Sequence, residues 1–270
     1  MPNAVLAEHQ THWRVMGEGP RSALAVHCSL AHSGSWRDVS RHLAERLTIT
    51  AFDLPGHGRS ASWDGEREIQ SLSCAIGAAL VPDGGKIDVL GHSFGGTVAL
   101  RYALDHPERV RSLTLIEPVF FAAAIRGHPH TQARLDEDFA RFVDAWDAGD
   151  LDAAARAFTA IWGDGTPWHK LSRMAQRALA AQIHLIPAAN AALFDDVGGM
   201  LDDCRLETLG VPVLFLQGGE THWIIPQISK ALAARLPDAT CVTVPGAGHM
   251  VPISHAKDVA SRIGDFLDRT

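Results

Sequence analysis

Gly91-His92-Ser93-Phe94-Gly95 sets a serine between glycines, and Gly96 follows. A serine hydroxyl attacks poorly until a neighbouring base takes its proton. The G-x-S-x-G spacing has a mechanical reading. The serine sits at a sharp strand-to-helix turn whose backbone is strained and closely approached, so its neighbours must be small. Five residues with three fixed recur by chance, and the setting is what gives the motif weight. Ile87-Asp88-Val89-Leu90 reads as a strand immediately before it, and Thr97-Val98-Ala99-Leu100 begins a helix immediately after. Ser93 is therefore the expected nucleophile. Of 15 histidines, His249 is best placed as its base. It follows the strand Cys241 to Val244 on a Pro245-Gly246-Ala247-Gly248 loop. His92 is expected to pack against the sheet. His128-Pro129-His130 offers two histidines without further ligands, too few for a metal site, and no metal or cofactor is expected.

These residues need a scaffold, and the hydrophobic rhythm describes one. Ala23 to His27 reads as a buried strand, Trp36 to Leu47 has helical spacing, and Thr48 to Phe52 is a β-branched strand. That strand runs into the turn Asp53-Leu54-Pro55-Gly56-His57-Gly58. A helix over Ile69 to Leu80, the strand before Ser93, a helix over Phe94 to Asp105 and the strand Ser112 to Ile116 follow. From Val119 to Asp202 the pattern is helical only: Leu135 to Trp146, Leu151 to Trp162 and Leu171 to Ile186. Alternation resumes with the strand Val213 to Leu216, a helix over Ile228 to Leu236, the strand Cys241 to Val244 and a helix over Ala256 to Leu267. The expected class is α/β, a mostly parallel central sheet with helices on both faces. Residues 1–118 and 203–270 would form its core, and residues 119–202 an all-helical insertion.

The 270 residues suffice for one such domain with a pocket; 46% are hydrophobic and 20% charged, which is globular composition. A net charge of −7 with no basic stripe argues against nucleic acid and anionic membrane surfaces as partners. No apolar run reaches the length of a membrane span, and Met1 to Trp13 does not read as a signal peptide. Cys28, Cys74, Cys204 and Cys241 show no paired spacing, which suits reduced thiols and a cytoplasmic location.

Four landmarks together resemble the α/β-hydrolase family over nearly the whole chain. They are His27-Cys28-Ser29 with Trp36 after it, Asp53-Leu54-Pro55-Gly56-His57-Gly58-Arg59-Ser60, the turn at Ser93, and Gly246-Ala247-Gly248-His249. The resemblance implies a catalytic histidine after the last strand. It also implies an oxyanion hole made by the backbone N–H groups of Phe94 and Ser29. The family usually has His-Gly where this chain has His27-Cys28, so the hole must fit a Cβ and a sulfur there. His57 would be an architectural residue of its turn. The helical insertion would be a cap over the site. It brings aromatic residues such as Phe120, Trp162 and Trp168, from which a pocket for a small apolar acyl substrate is expected. The implied activity is cofactor-free hydrolysis of carboxylic esters through an acyl-enzyme. C–C bond, lactone and perhydrolase chemistry, hydroxynitrile lysis, and a non-catalytic ligand sensor on the same scaffold stay open. The oligomeric state is left open.

The acid that orients His249 has two candidates. The commonest family position lies after the seventh strand, in Gly-x-x-Asp with a proline four residues later. Aligning Pro226 puts Gly219 in the glycine slot and His222 where the aspartate belongs, with Glu220 one residue past the glycine. A minority of the family uses a glutamate at the end of the sixth strand, where Leu113-Thr114-Leu115-Ile116-Glu117-Pro118 places Glu117. A glutamate at a buried strand end needs a partner to offset its desolvation, and a protonated histidine supplies one. Glu117 is favoured, with Glu220 as the alternative.

Overall fold

The computed structural model describes residues 2–81 and 84–270. Met1, part of the stretch read above as lacking a signal peptide, and Pro82 and Asp83, within the expected core, lie outside the described residues. The chain opens with β1 (Asn3–Leu6) and β2 (His9–Met16), a hairpin that periodicity does not announce. Its turn residues are Ala7 and Glu8, both left-handed at φ 48° and 68°. Such turns usually carry Asn-Gly, and without that pair the sequence shows no hairpin signal.

Then come β3 (Arg21–Val26), α1 (Arg37–His42), β4 (Leu47–Phe52), α2 (Ile69–Leu80), β5 (Ile87–His92), α3 (Phe94–Asp105) and β6 (Val110–Ile116). The next described elements are all helical: α4 (Ala122–Ile125), α5 (Pro129–Asp147), α6 (Leu151–Trp162), α7 (Arg173–Gln182), α8 (Leu185–Ala188) and α9 (Asn190–Leu193). The chain closes with β7 (Val213–Gly218), α10 (Ile224–Ala233), β8 (Ala239–Val244), α11 (Val251–Ser254) and α12 (Ala256–Leu267). One eight-stranded sheet results, in the order β1-β2-β4-β3-β5-β6-β7-β8. Every pairing from β4 to β8 is parallel, and β1 and β2 are antiparallel.

Alternate residues of a strand go to opposite faces. Leu24, Val26, Val213 and Phe215 pack with α2, α3 and α10, while Ala23, Ala25, Leu214 and Leu216 pack with α1 and α12. Both faces are thus covered, which is why the central strands read as nearly continuous apolar runs. Leu135, Trp162, Leu185 and Leu193 of the helical segment join the first cluster, so that segment shares the core of the sheet. A smaller cluster of its own holds Phe142, Ala154, Ala180 and Ile183.

Three expected helices end elsewhere; the one over Ile228 to Leu236 is α10, which starts at Ile224 and closes at Ala233. The helix over Trp36 to Leu47 is a 3-10 turn, Ser33–Trp36, followed by α1, and Leu47 begins β4. Leu47 shares a sheet face with Ile49 and Ala51, and that two-residue period prevails over its four-residue spacing from Leu43. The helix over Leu171 to Ile186 stops at Gln182, with the Ser172 hydroxyl accepting from Ala175 N–H at its start. Pro187 has no N–H for the carbonyl of Ile183 and would clash with it, so a continuous helix cannot form there.

At the end of the sheet where β5 starts, the buried Asp88 takes both guanidinium nitrogens of Arg21 at 2.7 and 2.9 Å, Arg111 at 3.0 Å and the Ser112 hydroxyl at 2.7 Å. Arg21 also donates to the carbonyl of Leu267 at 2.7 Å, tying α12 to β3. All four cysteines are free. Among the described residues, no helix is long and apolar enough to cross a membrane.

Candidate active site

Ser93 joins β5 to α3 at φ 56° and ψ −120°, a left-handed backbone that a non-glycine residue adopts only when its surroundings enforce it. They do so here. Ser93 N–H donates to Ile116 C=O at 2.9 Å, and Ser93 C=O accepts from Gly96 N–H at 2.9 Å. The flanking glycines are required by close approach. A Cβ on Gly95 would lie 2.3 Å from the Val26 carbonyl oxygen, and one on Gly91 would lie 2.2 Å from that of Gly95.

His249 follows β8 on a loop that turns at Gly246, φ 71°. Its Nε2 is 2.9 Å from Ser93 Oγ and its Nδ1 is 2.9 Å from Glu117 Oε2. His92 is buried beside it, and its Nε2–H donates to the His249 carbonyl at 2.9 Å. The residue expected to pack against the sheet thus also fixes the backbone of the expected base.

Glu117 stands one residue past β6 at φ 51° and is fully buried. Its Oε1 accepts from Gly218 N–H at 2.6 Å, and its Oε2 accepts from the Thr221 hydroxyl as well as facing His249. Burial pushes the carboxyl up to about 7, against the pull of the Thr221 and Gly218 hydrogen bonds. Burial pushes His249 down to about 3, and nearby His222 adds to that. At neutral pH the ring is therefore neutral. Its Nδ1–H is directed to Glu117, which leaves the Nε2 lone pair for the serine proton. Glu220 is exposed, and only its backbone N–H reaches toward the histidine loop, donating to Ala247 C=O at 2.8 Å. Of the two carboxylates read from the sequence, the one bonded to His249 is Glu117.

Phe94 opens α3, so its N–H is one of the first-turn donors without a helical acceptor. Ser29 borders the same space as Ser93. The loop before it is held by the buried His27, whose Nδ1–H donates to Cys28 C=O at 2.7 Å and whose Nε2 accepts from Leu54 N–H at 2.9 Å. Cys28 fits, buried, where the family pattern has glycine, and burial pushes its thiol up to about 12. The turn at Asp53 is built around that buried carboxylate, which accepts from Ser33 N–H at 2.6 Å and Arg59 N–H at 2.8 Å.

Above Ser93 lies an apolar cavity walled by Phe121, Phe139, Phe158, Trp162 and Phe194. Trp162, the last residue of α6, sets its ring 4.8 Å from that of His249, edge to face. Two aromatic residues expected in this wall are elsewhere. Phe120 is fully buried in the larger core cluster, and its neighbour Phe121 takes the place by the cavity. Trp168 follows the loop 163–167, which carries it to the outer side, where it packs on the small helical cluster and borders a different concavity with Arg156 and Thr159. Sequence reasoning missed Phe139, although its spacing from Leu135 and Phe142 along α5 is the signal of a buried helical face. It also missed Thr221, which no motif marks.

A central parallel sheet wrapped by helices, with a serine at a strained strand-to-helix turn, defines a class, and the comparisons agree with it. The model of the alpha/beta hydrolase family matches residues 23–262. The chain is 27% identical over 268 residues to a pimeloyl-[acyl-carrier protein] methyl ester esterase of Edwardsiella ictaluri, covering 95% of this chain and 96% of that one. It is 35% identical over 151 residues to the lipase LipV of Mycobacterium tuberculosis, covering 55% and 54%. The crystal structure of the enol-lactonase from Burkholderia xenovorans superimposes with a TM-score of 0.75 at 20% identity, covering 99% of this chain and 100% of that one, which is a likeness of fold. The chain belongs to the alpha/beta hydrolase family, and it is an enzyme of the hydrolase class, several of whose named relatives are esterases.

Proposed function

We propose that the protein hydrolyses small carboxylic esters, with Ser93 as nucleophile, His249 as general base and Glu117 as the acid that orients it. The observation that carries this reading is the unbroken hydrogen-bond chain Ser93 Oγ, His249 Nε2, His249 Nδ1, Glu117 Oε2, with 2.9 Å at each contact. Ser93 Oγ attacks the ester carbonyl carbon while His249 Nε2 takes its proton. The carbonyl oxygen gains a negative charge, which the N–H groups of Phe94 and Ser29 would meet. Collapse expels the alcohol, protonated by His249, and leaves the acyl group on Ser93. A water molecule, deprotonated by the same nitrogen, then releases the acid and restores the serine.

Residues 119–202 act in this reading as the cap, and their aromatic wall receives the apolar acyl part. The cavity beside Ser93 is lined mostly by apolar side chains, which suits an apolar acyl group. Relatives that carry the name methyl ester esterase make methyl esters natural substrates to assay. The test uses a fluorophosphonate and p-nitrophenyl acetate. Stoichiometric labelling at Ser93, and loss of turnover in Ser93→Ala, are expected. Labelling at Ser29, or turnover that survives the substitution, refutes the mechanism.

A further inference from the structure

The loop after β7 does not supply the acid, yet it is tightly built. His222 stands in the slot where the family pattern has aspartate, and its ring turns to α5. Its Nε2 is 3.1 Å from Asp138 Oδ2. Burial lowers the pKa of His222, so the neutral ring donates its Nε2–H to Asp138. The same Asp138 oxygen accepts the indole N–H of Trp223 at 2.7 Å. One turn earlier on α5, the guanidinium of Arg134 lies 4.0 Å over the Trp223 ring. Trp162 of α6 completes the grip, its ring 5.0 Å from that of His222 and 4.8 Å from that of His249.

Backbone contacts tie the start of this loop to the β8 side, through Gly219 N–H to Val244 C=O at 2.9 Å and Glu220 N–H to Ala247 C=O at 2.8 Å. The residue between those anchors and the two gripped rings is Thr221. Its hydroxyl donates to Glu117 Oε2, the oxygen that also faces His249.

We infer that Asp138 and His222 form a latch that positions Thr221 on Glu117, so that helix α5 helps hold the acid of the catalytic triad in place. The inference rests on the proposed roles of Ser93, His249 and Glu117. Neither Asp138 nor His222 is hydrogen-bonded to Ser93 or His249. They are positioning residues, acting through Thr221. If the latch is cut, the loop is free to withdraw the Thr221 hydroxyl, and Oε2 keeps only the histidine as donor. An ionised carboxylate in a buried site is then harder to maintain. Glu117 faces His249 and His92. The latch itself is bordered by Glu137, Arg134 and Arg141 of α5, Arg156 of α6 and Glu220 of the loop, most of them along a groove of about 720 Å³ outside Trp162.

The test is a double-mutant cycle of Asp138→Ala and Thr221→Val, read as kcat and KM for a short ester across the pH range. Asp138→Ala should lower kcat on the order of tenfold, within the ~100-fold that misplacing a catalytic group by an ångström can cost. KM should change little, and the acid limb of the profile should move to higher pH. The double variant should be no slower than Thr221→Val alone, because both remove one contact. His222→Gln, which can still donate to Asp138, should retain more activity than His222→Ala. Additive effects, or a raised KM with an unmoved acid limb, overturn the latch. Activity that survives Ser93→Ala overturns the triad reading, and the latch falls with it. If Ser93→Ala is inactive and the cycle is additive, only the latch fails.

Discussion

Glu117 is the residue at which charge, burial and function meet. A buried carboxyl held up at about 7 gains its charge only as the pH rises through neutrality. Burial lowers His249, which is hydrogen-bonded to that carboxyl, so the two titrate as one coupled pair. Under the proposed mechanism the active form pairs ionised Glu117 with neutral His249. It follows that kcat/KM falls as pH drops below about 7 and is level above, the apparent pKa belonging to the coupled pair. Glu117→Gln should lower the plateau by ~10⁴, the scale seen when such an acid is neutralised, and abolish that limb. Glu220→Gln should leave both unchanged, since its side chain is exposed and away from His249. A steady-state pH profile of the two variants decides between them; a large loss in Glu220→Gln would return the acid to the seventh-strand loop.

At the scale of elements, the loop 163–167 after α6 separates two tryptophans that look equivalent in the sequence. Trp162 ends the helix inside the cavity wall, and Trp168 lies beyond the loop on the outside. Trp162→Ala should therefore change the ratio of kcat/KM between acetate and octanoate esters, while Trp168→Ala lowers stability without moving that ratio. Equal shifts in both variants would remove the cavity from the explanation. Helices α2, α3, α6 and α12 begin and end where their apolar periods and breakers predict. Ser93 and His249 were legible because glycine spacing and strand ends are local signals. The side of a turn on which Phe120 or Phe121 falls is decided by the next helix it must pack against, and no local pattern encodes that. Thr221 was illegible for the same reason. Its role exists only because β6 and β7 lie side by side, which brings Glu117 against Gly218 and the loop after it.

For the molecule as a whole, the cost of this architecture is a set of buried neutral histidines. Burial holds His27, His92 and His249 at about 3 and His57 at about 4, against an ordinary value of 6.5. Below 6.5 the unfolded chain takes up protons that the folded chain refuses. Stability is thus fully present above that value and is lost as pH falls toward 4, by up to ~1.4 kcal/mol per pH unit for each histidine. Glu117 acts in the opposite sense, since its raised value favours the fold in acid and withdraws that contribution as pH rises through about 7. Four against one, the histidines prevail, and the urea midpoint should drop steeply between neutral pH and about pH 5. A midpoint that stays level over that interval contradicts this.

The site draws on consecutive strands of the sheet: Ser29 beyond β3, Ser93 beyond β5, Glu117 beyond β6, Gly218 at the end of β7 and His249 beyond β8. The bond from Gly218 N–H to Glu117 alone spans 101 positions. A chain being synthesised carries its serine and its carboxylate long before the histidine exists, and the hydroxyl has no base to take its proton. Under the proposed mechanism the nascent polypeptide is chemically silent until its final strand is made and seated. The cell meets the esterase only as a finished molecule.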